Sequence, residues 1–321
     1  LAERFVTYPA DGRIGRLRMF RKFVADNAVD WVMTATETSL AMPVALKFLN
    51  RVRIAVDLHG VLAEEARATN AVGPFQYRSL KYRIWSLLCF YDRVFPVSDK
   101  LTGYYAPVSD RIRWIPIYGG VDAALPEQMP AGPGDGKTFR IGYMGNARAY
   151  QGLPYILDAA AALRGGGVPV RLNLIISGDG ETVRADLKER GLTDVTDLRC
   201  DVSHDTANDL IRNSDVLSIP RPGTPVTEFA FPSKLPEYLA TGIPVIITDV
   251  GPVGELKDVL REAAIVIGTD DIAANLAAAF AQVYEMDNAA RADLGERARG
   301  VVAREFTWPV LGAKLCGALN R

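Results

Sequence analysis

Three short stretches hold residues whose types and spacing suit a phosphorylated ligand. In FPSKLPEYLATGIPV, residues 231–245, Ser233 is placed to cap a short helix, on which Lys234 and Glu237 follow three apart on one face. A helix start offers free N–H groups and the positive end of the helix dipole, so with Lys234 it suits a diphosphate. Glu237, a turn further, is placed to accept two ribose hydroxyls. An arbitrary surface helix could carry the same Lys–Glu pair with no ligand at all. The continuation TGIPV into a buried strand, however, puts this helix at a sheet's ligand edge. GYMGNARAYQG, residues 142–152, leads from a strand into a helix; Gly145 and its neighbours admit a phosphate close to the backbone, and Arg148 adds a cation. It does not match the dinucleotide fingerprint, and such turns also need glycine for packing. ISGDG, residues 176–180, is a third strand end, where Gly178 and Gly180 permit a sharp turn. Asp179 there accepts from a ligand or caps the next helix, and taken alone the stretch reads as structural.

The elements that must hold these residues are legible as alternating short apolar runs and amphipathic stretches, the pattern of βα repeats on a parallel sheet. In the first half, strands are expected at 4–7, 31–35, 53–57, 93–97 and 112–115, with helices near 16–25, 39–49, 77–91 and 99–105. In the second, strands are expected at 139–144, 171–177, 197–200, 216–219, 244–248 and 264–267. Helices fall near 153–163, 181–190, 205–213, 233–240, 272–284, 288–305 and 308–319. Between the halves lies a Gly- and Pro-rich segment without periodicity. The expected division is a first Rossmann-like domain at 1–118, a linker at 119–138 and a second domain at 139–305. A last helix, 306–321, could return to the first domain. Two such domains facing each other would leave a cleft at the carboxyl ends of both sheets.

Composition narrows the function. At 321 residues, 49 % hydrophobic and 23 % charged, the chain has an ordinary globular mix. No apolar run approaches the length of a membrane span, and no secretory pattern is visible. Cys89, Cys200 and Cys316 are scattered and lack metal-ligand spacing; their apolar contexts predict buried free thiols in a reducing cytosol. His59 and His204 are the only histidines, so a His-rich metal site is excluded. His204 is expected only to cap a helix. A net charge of −1 gives no sign of nucleic-acid binding. Residues 1–120 nevertheless carry 17 Lys/Arg against 11 Asp/Glu, which suits an anionic acceptor or membrane surface, or is ordinary variation between domains. The aromatic, basic stretch 77–91 poses the same choice, and Ile84, Leu87, Leu88 and Tyr91 are expected to pack under the sheet.

The order GYMGN…QGL, LIISGDG, NDLIRNSDVLSIP, FPSKLPEYLATGIPVI and REFTWPVLGAKL resembles the donor domain of the retaining GT-B glycosyltransferases of family 4, in the form with PSK-EY. VDLHGVLAEE, DRVFPVSDKL and IRWIPIYGGVD resemble the same family's acceptor domain and linker. The resemblance implies an α/β GT-B fold and transfer of a hexose-type sugar from a nucleoside diphosphate sugar, UDP or GDP type, to a hydroxyl acceptor with retention. The acceptor class it implies is a glycan or lipid-linked precursor, and no metal or other cofactor is needed. Glu237 matches the carboxylate that holds the donor ribose. The family's other Glu, which contacts the donor sugar, falls at Phe229, with Glu228 one residue out of register. The family's phosphate-facing Arg and Lys fall at Asn146 and Gln151, leaving the charge to Arg148 and Lys234, with Pro232 and Ser233 at the helix start. Residues 198–202, ending at Val202, and the GDG turn correspond to segments flanking the base; Arg221 is a further pocket residue. His59 matches a histidine that approaches the donor sugar, so His59 and Glu237 are the expected catalytic pair. Glu64 and Glu65, expected on a loop, are candidates for the acceptor site. The family's first βαβ segment has no counterpart before residue 4. Two other readings stand beside the transferase: a sugar-nucleotide-binding scaffold without catalysis, and a GT-B-shaped epimerase, for which two histidines are a thin acid–base supply. The expected location is cytoplasmic, open to peripheral contact with the inner face of the membrane.

Overall fold

The computed structural model describes residues 12–122 and 138–320. The expected strand at 4–7 and most of the expected linker lie outside them. The chain divides into two compact units, Leu1–Ile117 and Tyr118–Arg321.

The first unit runs α1 (Gly12–Asp26), β1 (Trp31–Ala35), α2 (Ala41–Asn50), β2 (Arg53–Leu58), α3 (Leu62–Ala68), α4 (Pro74–Leu88), β3 (Arg93–Pro96), α5 (Asp99–Tyr105) and β4 (Arg113–Trp114). Its four strands are parallel in the order β1-β2-β3-β4. Ile54, Ala55, Val56 and Leu58 of β2 are fully buried, as a strand covered on both faces requires. Ser98 starts α5 by accepting a bond from Leu101 N at 3.0 Å. Glu64 and Glu65, expected on a loop, lie in the first turn of α3, where carboxylates suit the helix dipole. Ile84, Leu88 and Tyr91 are buried as expected, while Leu87 is half-buried.

The second unit runs β5 (Phe139–Asn146), α6 (Leu153–Gly165), β6 (Val170–Ser177), α7 (Gly180–Glu189), β7 (Thr196–Cys200), α8 (His204–Ile211), β8 (Val216–Ile219), α9 (Lys234–Thr241), β9 (Val245–Thr248), α10 (Pro252–Glu255), α11 (Lys257–Leu260), β10 (Ile265–Ile267), α12 (Ile272–Glu285), α13 (Asn288–Val301) and α14 (Trp308–Asn320). The short helices α10 and α11 were not expected; four residues each is too short for a helical period to register. A π-helical turn, Val302–Phe306, ends α13 earlier than the pattern suggests. Six parallel strands are ordered β10-β9-β8-β5-β6-β7. The chain winds outward from β5 to one side, then restarts at β8 on the other. The crevice between the carboxyl ends of β5 and β8 is therefore the topological switch point, where doubly wound sheets take their ligands.

The thiol expectation is corrected: Cys89 and Cys316 are exposed and Cys200 is half-buried. Cys89 falls just beyond the last turn of α4, on its solvent side. Apolar neighbours in sequence do not bury a residue that the helix turns outward.

Candidate functional site

Gly145 and Asn146 end β5, Arg221 follows β8, and α9 starts thirteen residues after Arg221, at Lys234. All three segments therefore meet at the switch point. Tyr238 ties α9 to β5: Met144 N donates to its hydroxyl at 2.8 Å, and that hydroxyl lies 3.3 Å from Met144 O. The first turn of α9 is thereby set beside Gly145. Lys234 Nζ stands 4.5 Å from the centre of the Tyr143 ring and 3.5 Å from its hydroxyl. A side chain on Gly145 would collide with the Lys234 ammonium. Gly152 is equally constrained, with φ +80° and a Cβ position that would run into the Pro220 carbonyl. Both glycines are thus needed for close approach.

Burial lowers the pKa of Lys234 to about 7; the nearby Arg221 guanidinium pushes the same way and Glu237 opposes it. Lys234, Arg221 and Glu237 thus act on one another at the start of α9. Arg221 is buried, donates to Ala230 O at 2.9 Å, and has its own carbonyl held by Thr248 Oγ1 at 2.7 Å. Glu237 lies one turn along α9 from Lys234, half-buried.

The other expected residues are distributed along the same sheet edge. Gly178, Asp179 and Gly180 follow β6, next to β5. Gly178 N donates to Asp201 Oδ1 at 2.9 Å, and Asp179 caps α7 by accepting from Thr182 N at 3.0 Å. The Thr182 hydroxyl and amide hold the Asp179 carboxyl below its ordinary range. Asp179 is thus the N-cap of α7. Val202, just past β7, is half-buried. Asn146 Oδ1 accepts from Arg148 N at 3.2 Å, while the Arg148 side chain is exposed with its guanidinium 3.5 Å from the Tyr150 hydroxyl. Gln151 is half-buried in the single turn Ala149–Gln151. Pro232 is buried, and its carbonyl accepts from Leu235 N at 2.8 Å to begin α9. Glu228 and Phe229, both half-buried, lie in the turn after Thr224, whose carbonyl accepts from Glu228 N at 2.9 Å.

Two capping expectations are corrected. Ser233 occupies the N-cap position of α9 but already has helical angles, and its exposed side chain makes no capping bond; of the first-turn amides, Leu235 N is taken by Pro232 O and Pro236 has no N–H to give. The cap of α8 is Ser203, bonded to Thr206 N at 3.3 Å, and His204 is the first residue of the helix. Sequence reasoning also missed Tyr143 and Tyr238. Tyr238 stood in plain view beside Glu237, yet only the pairing of β5 with the α9 turn shows which backbone its hydroxyl meets.

In the first unit, His59 follows β2 and is exposed, with Nε2 2.8 Å from Asp57 Oδ2. Glu64 Oε1 accepts from Tyr77 at 2.6 Å and Tyr104 at 2.9 Å, with Lys81 Nζ at 4.0 Å. Among the described residues no group of three or more His, Cys, Asp or Glu could hold a metal ion.

Strand order and switch point define a doubly wound domain with Lys234 at the helix start on its carboxyl edge. Residues 138–286 match the family described as Glycosyl transferases group 1. Among curated proteins none matches the sequence. Among solved structures, the chain is similar to sucrose-phosphate synthase from Thermosynechococcus elongatus, at 17 % identity and TM-score 0.72 over 98 % of this chain and 80 % of that one. It is similar to HepE of Anabaena in complex with UDP and glucose, at 17 % identity and TM-score 0.71 over 99 % and 85 %. A glycosyltransferase from Rickettsia africae gives 14 % identity and TM-score 0.73 over 98 % and 83 %. The fold is GT-B.

Proposed function

We propose that the chain is a retaining glycosyltransferase that moves a hexose-type sugar from a nucleoside diphosphate sugar to a hydroxyl acceptor, in polysaccharide or glycolipid synthesis. The observation that carries the reading is the Lys234 ammonium, desolvated beside Arg221 at the open start of α9, on the switch point of the second sheet. A diphosphate suits these cations at a helix start. Lys234, Arg221 and the positive end of the α9 dipole then stabilise the charge that develops on the departing nucleotide, with no metal required. Glu237 accepts the ribose hydroxyls. HepE, similar in fold, is a complex with UDP and glucose, which favours a uridine nucleotide here. His59 stands on the acceptor-side unit, with the held carboxylate Glu64 as a further polar group there.

A second reading, a sugar-nucleotide binder without transfer, is favoured by Phe229 and by neutral Asn146 and Gln151 at positions where the resemblance expects charge. The acceptor is proposed to reach the protein at an anionic membrane surface through α4. That helix exposes 84 % of Phe75 and 69 % of Tyr82, carries Arg78 and Arg83 exposed beside them, and has no Asp or Glu.

The test is a thermal-shift series with UDP, GDP, ADP and CDP. A ligand at about 100 times its dissociation constant stabilises the folded state by roughly 2.7 kcal/mol. We expect stabilisation by UDP, lost in Glu237→Ala. No shift with any nucleotide removes the donor site; a shift with UDP but no sugar transfer from UDP-glucose leaves the binder.

A further inference from the structure

Two stretches of the sequence, GGV at 119–121 and REFTW at 304–308, lie apart in sequence from the diphosphate site, yet both reach the segment that leads into α9. The chain passes from the first unit to the second between Ile117 and Tyr118. Just beyond, Val121 N donates to Phe306 O at 2.8 Å and Trp308 N to Val121 O at 2.9 Å, a parallel bridge between Val121 and Thr307. Phe306 closes the π-helical turn and is fully buried. The approach is close because residues 119 and 120 are glycines. A Cβ on Gly120 would stand 2.6 Å from Leu311 and 3.0 Å from Phe306 O, and one on Gly119 would stand 3.3 Å from the Phe231 ring. Phe231 is itself buried, its ring centre 5.4 Å from that of Tyr118 and 6.0 Å from that of Phe306, with Tyr118 and Phe306 6.3 Å apart. The strap made of residues 118–122 and 306–308 thus rests on a ring three positions before Lys234.

Two lines run from that ring to the Lys234 ammonium. Along the chain, Pro232 fixes its own φ and restricts the backbone of Phe231, and its carbonyl accepts from Leu235 N at 2.8 Å, so the segment entering α9 is stiff. On the other side of the ring, Ala230 O accepts from the Arg221 guanidinium at 2.9 Å, and Arg221 is one of the groups that act on Lys234. We propose that Phe231 is a positioning residue for Lys234, through which the strap and the diphosphate site are coupled: an ordered strap tightens the hold on a diphosphate, and a bound diphosphate orders the strap. The proposal rests on the donor reading above, and the coupling is equal in both directions. Among the described residues, the charged and titratable groups that meet the ammonium are Tyr143 from β5, Arg221 from the loop after β8 and Glu237 from α9 itself. A side chain at 231 too small to fill the space between Tyr118 and Phe306 lets this segment shift and water reach the ammonium. Lys234 then loses both the desolvation that depresses its pKa and the placement that aims it at phosphate.

The experiment compares the parent with Phe231→Leu, Phe306→Leu and Phe280→Leu, the last a buried change elsewhere in the core of the same unit that measures ordinary destabilisation. Calorimetry with UDP-glucose from pH 6 to 8.5 is expected to show parental affinity falling above about pH 7. Phe231→Leu should bind at least about fivefold more weakly at pH 6.5, the low end of ordinary coupling between sites, and with a level pH profile. Phe306→Leu should move the same way by less, and Phe280→Leu should keep the parental profile whatever it costs in melting temperature. Hydrogen exchange read by mass spectrometry should show UDP-glucose slowing exchange at the Val121 and Trp308 amides in the parent and not in Phe231→Leu. Should Phe231→Leu fail to fold, Phe231→Met and Phe306→Leu decide instead. A Phe231→Leu protein with parental affinity and profile overturns the proposal, as does a parent whose strap amides exchange unchanged with UDP-glucose bound. So does a Phe280→Leu profile that levels in the same way, since stability alone would then account for the effect. A parent that binds no UDP-glucose at all overturns the donor reading and the proposal with it.

Discussion

At the scale of single residues, Lys234 is the most informative side chain because its environment opposes its own charge. Burial and Arg221 bring its pKa to about 7, so in the free protein the ammonium is half-lost near neutrality. The protonated form is the one that binds a diphosphate, and a bound diphosphate raises the pKa again. Affinity for UDP-glucose is therefore expected to be full below pH 7 and to fall above it, by up to about tenfold per pH unit, until the pKa of the complex is reached. UDP-glucose suits this test because its diphosphate has no group titrating there. Calorimetry at pH 8 in buffers of different ionisation enthalpy should register proton uptake on binding. Lys234→Ala should bind more weakly and without this pH dependence; affinity that stays level from pH 6 to 8.5 in the parent would remove Lys234 from the phosphate site. The type of residue 234 was legible in the sequence, as was the helix start beneath it. Its depressed pKa was not, because that comes from burial in the folded unit and from Arg221, 13 positions away.

At the scale of elements, function depends on how α9 is fastened to β5. The Tyr238 hydroxyl receives Met144 N, so Tyr238→Phe leaves a buried N–H unpartnered, at a cost of about 1–3 kcal/mol. For a unit of this size, a loss of about 2 kcal/mol lowers the melting temperature by roughly 4–8 °C. UDP binding should weaken with it, as the start of α9 loosens from Gly145. Gly152→Ala tests the other wall: its φ is +80°, and a Cβ would press on the Pro220 carbonyl, part of the backbone leading out of β8. A fall in melting temperature at least as large as that of Tyr238→Phe is expected, and an unchanged melt would show that the turn relaxes freely. The alternation of strands and helices in both units was legible, because buried parallel strands are apolar runs of a length that helices seldom share. The α3 helix was not, since seven residues with two adjacent carboxylates read as loop until the Leu62 amide is seen bound to Glu37.

At the scale of the whole molecule, the charge is divided along the chain, with the excess of Lys/Arg in residues 1–120. Exposed Phe75 and Tyr82 among the arginines of α4 add an apolar component to that excess. Co-sedimentation with vesicles containing anionic lipid is expected at low salt, and it should weaken markedly as ionic strength rises and screening shortens the reach of the charges. Arg78→Glu with Arg83→Glu should reduce it without altering stabilisation by UDP. Equal binding to neutral vesicles, or none to anionic ones, would dispose of the membrane contact. Among the described residues no helix is long and apolar enough to cross a membrane.

By itself the sequence determined the class of the fold, the strand ends that carry glycine, and the Lys234–Glu237 helix, because hydrophobic periodicity, turn chemistry and helical spacing are local properties. Only the tertiary structure decided which strand ends become neighbours. Placing β8 beside β5 brings residues 145, 221 and 234 to one edge, and setting β1 beside β2 brings Glu37 to the start of α3. Strand order is a long-range choice, and the depressed pKa of Lys234 follows from the desolvation and contacts that this choice creates.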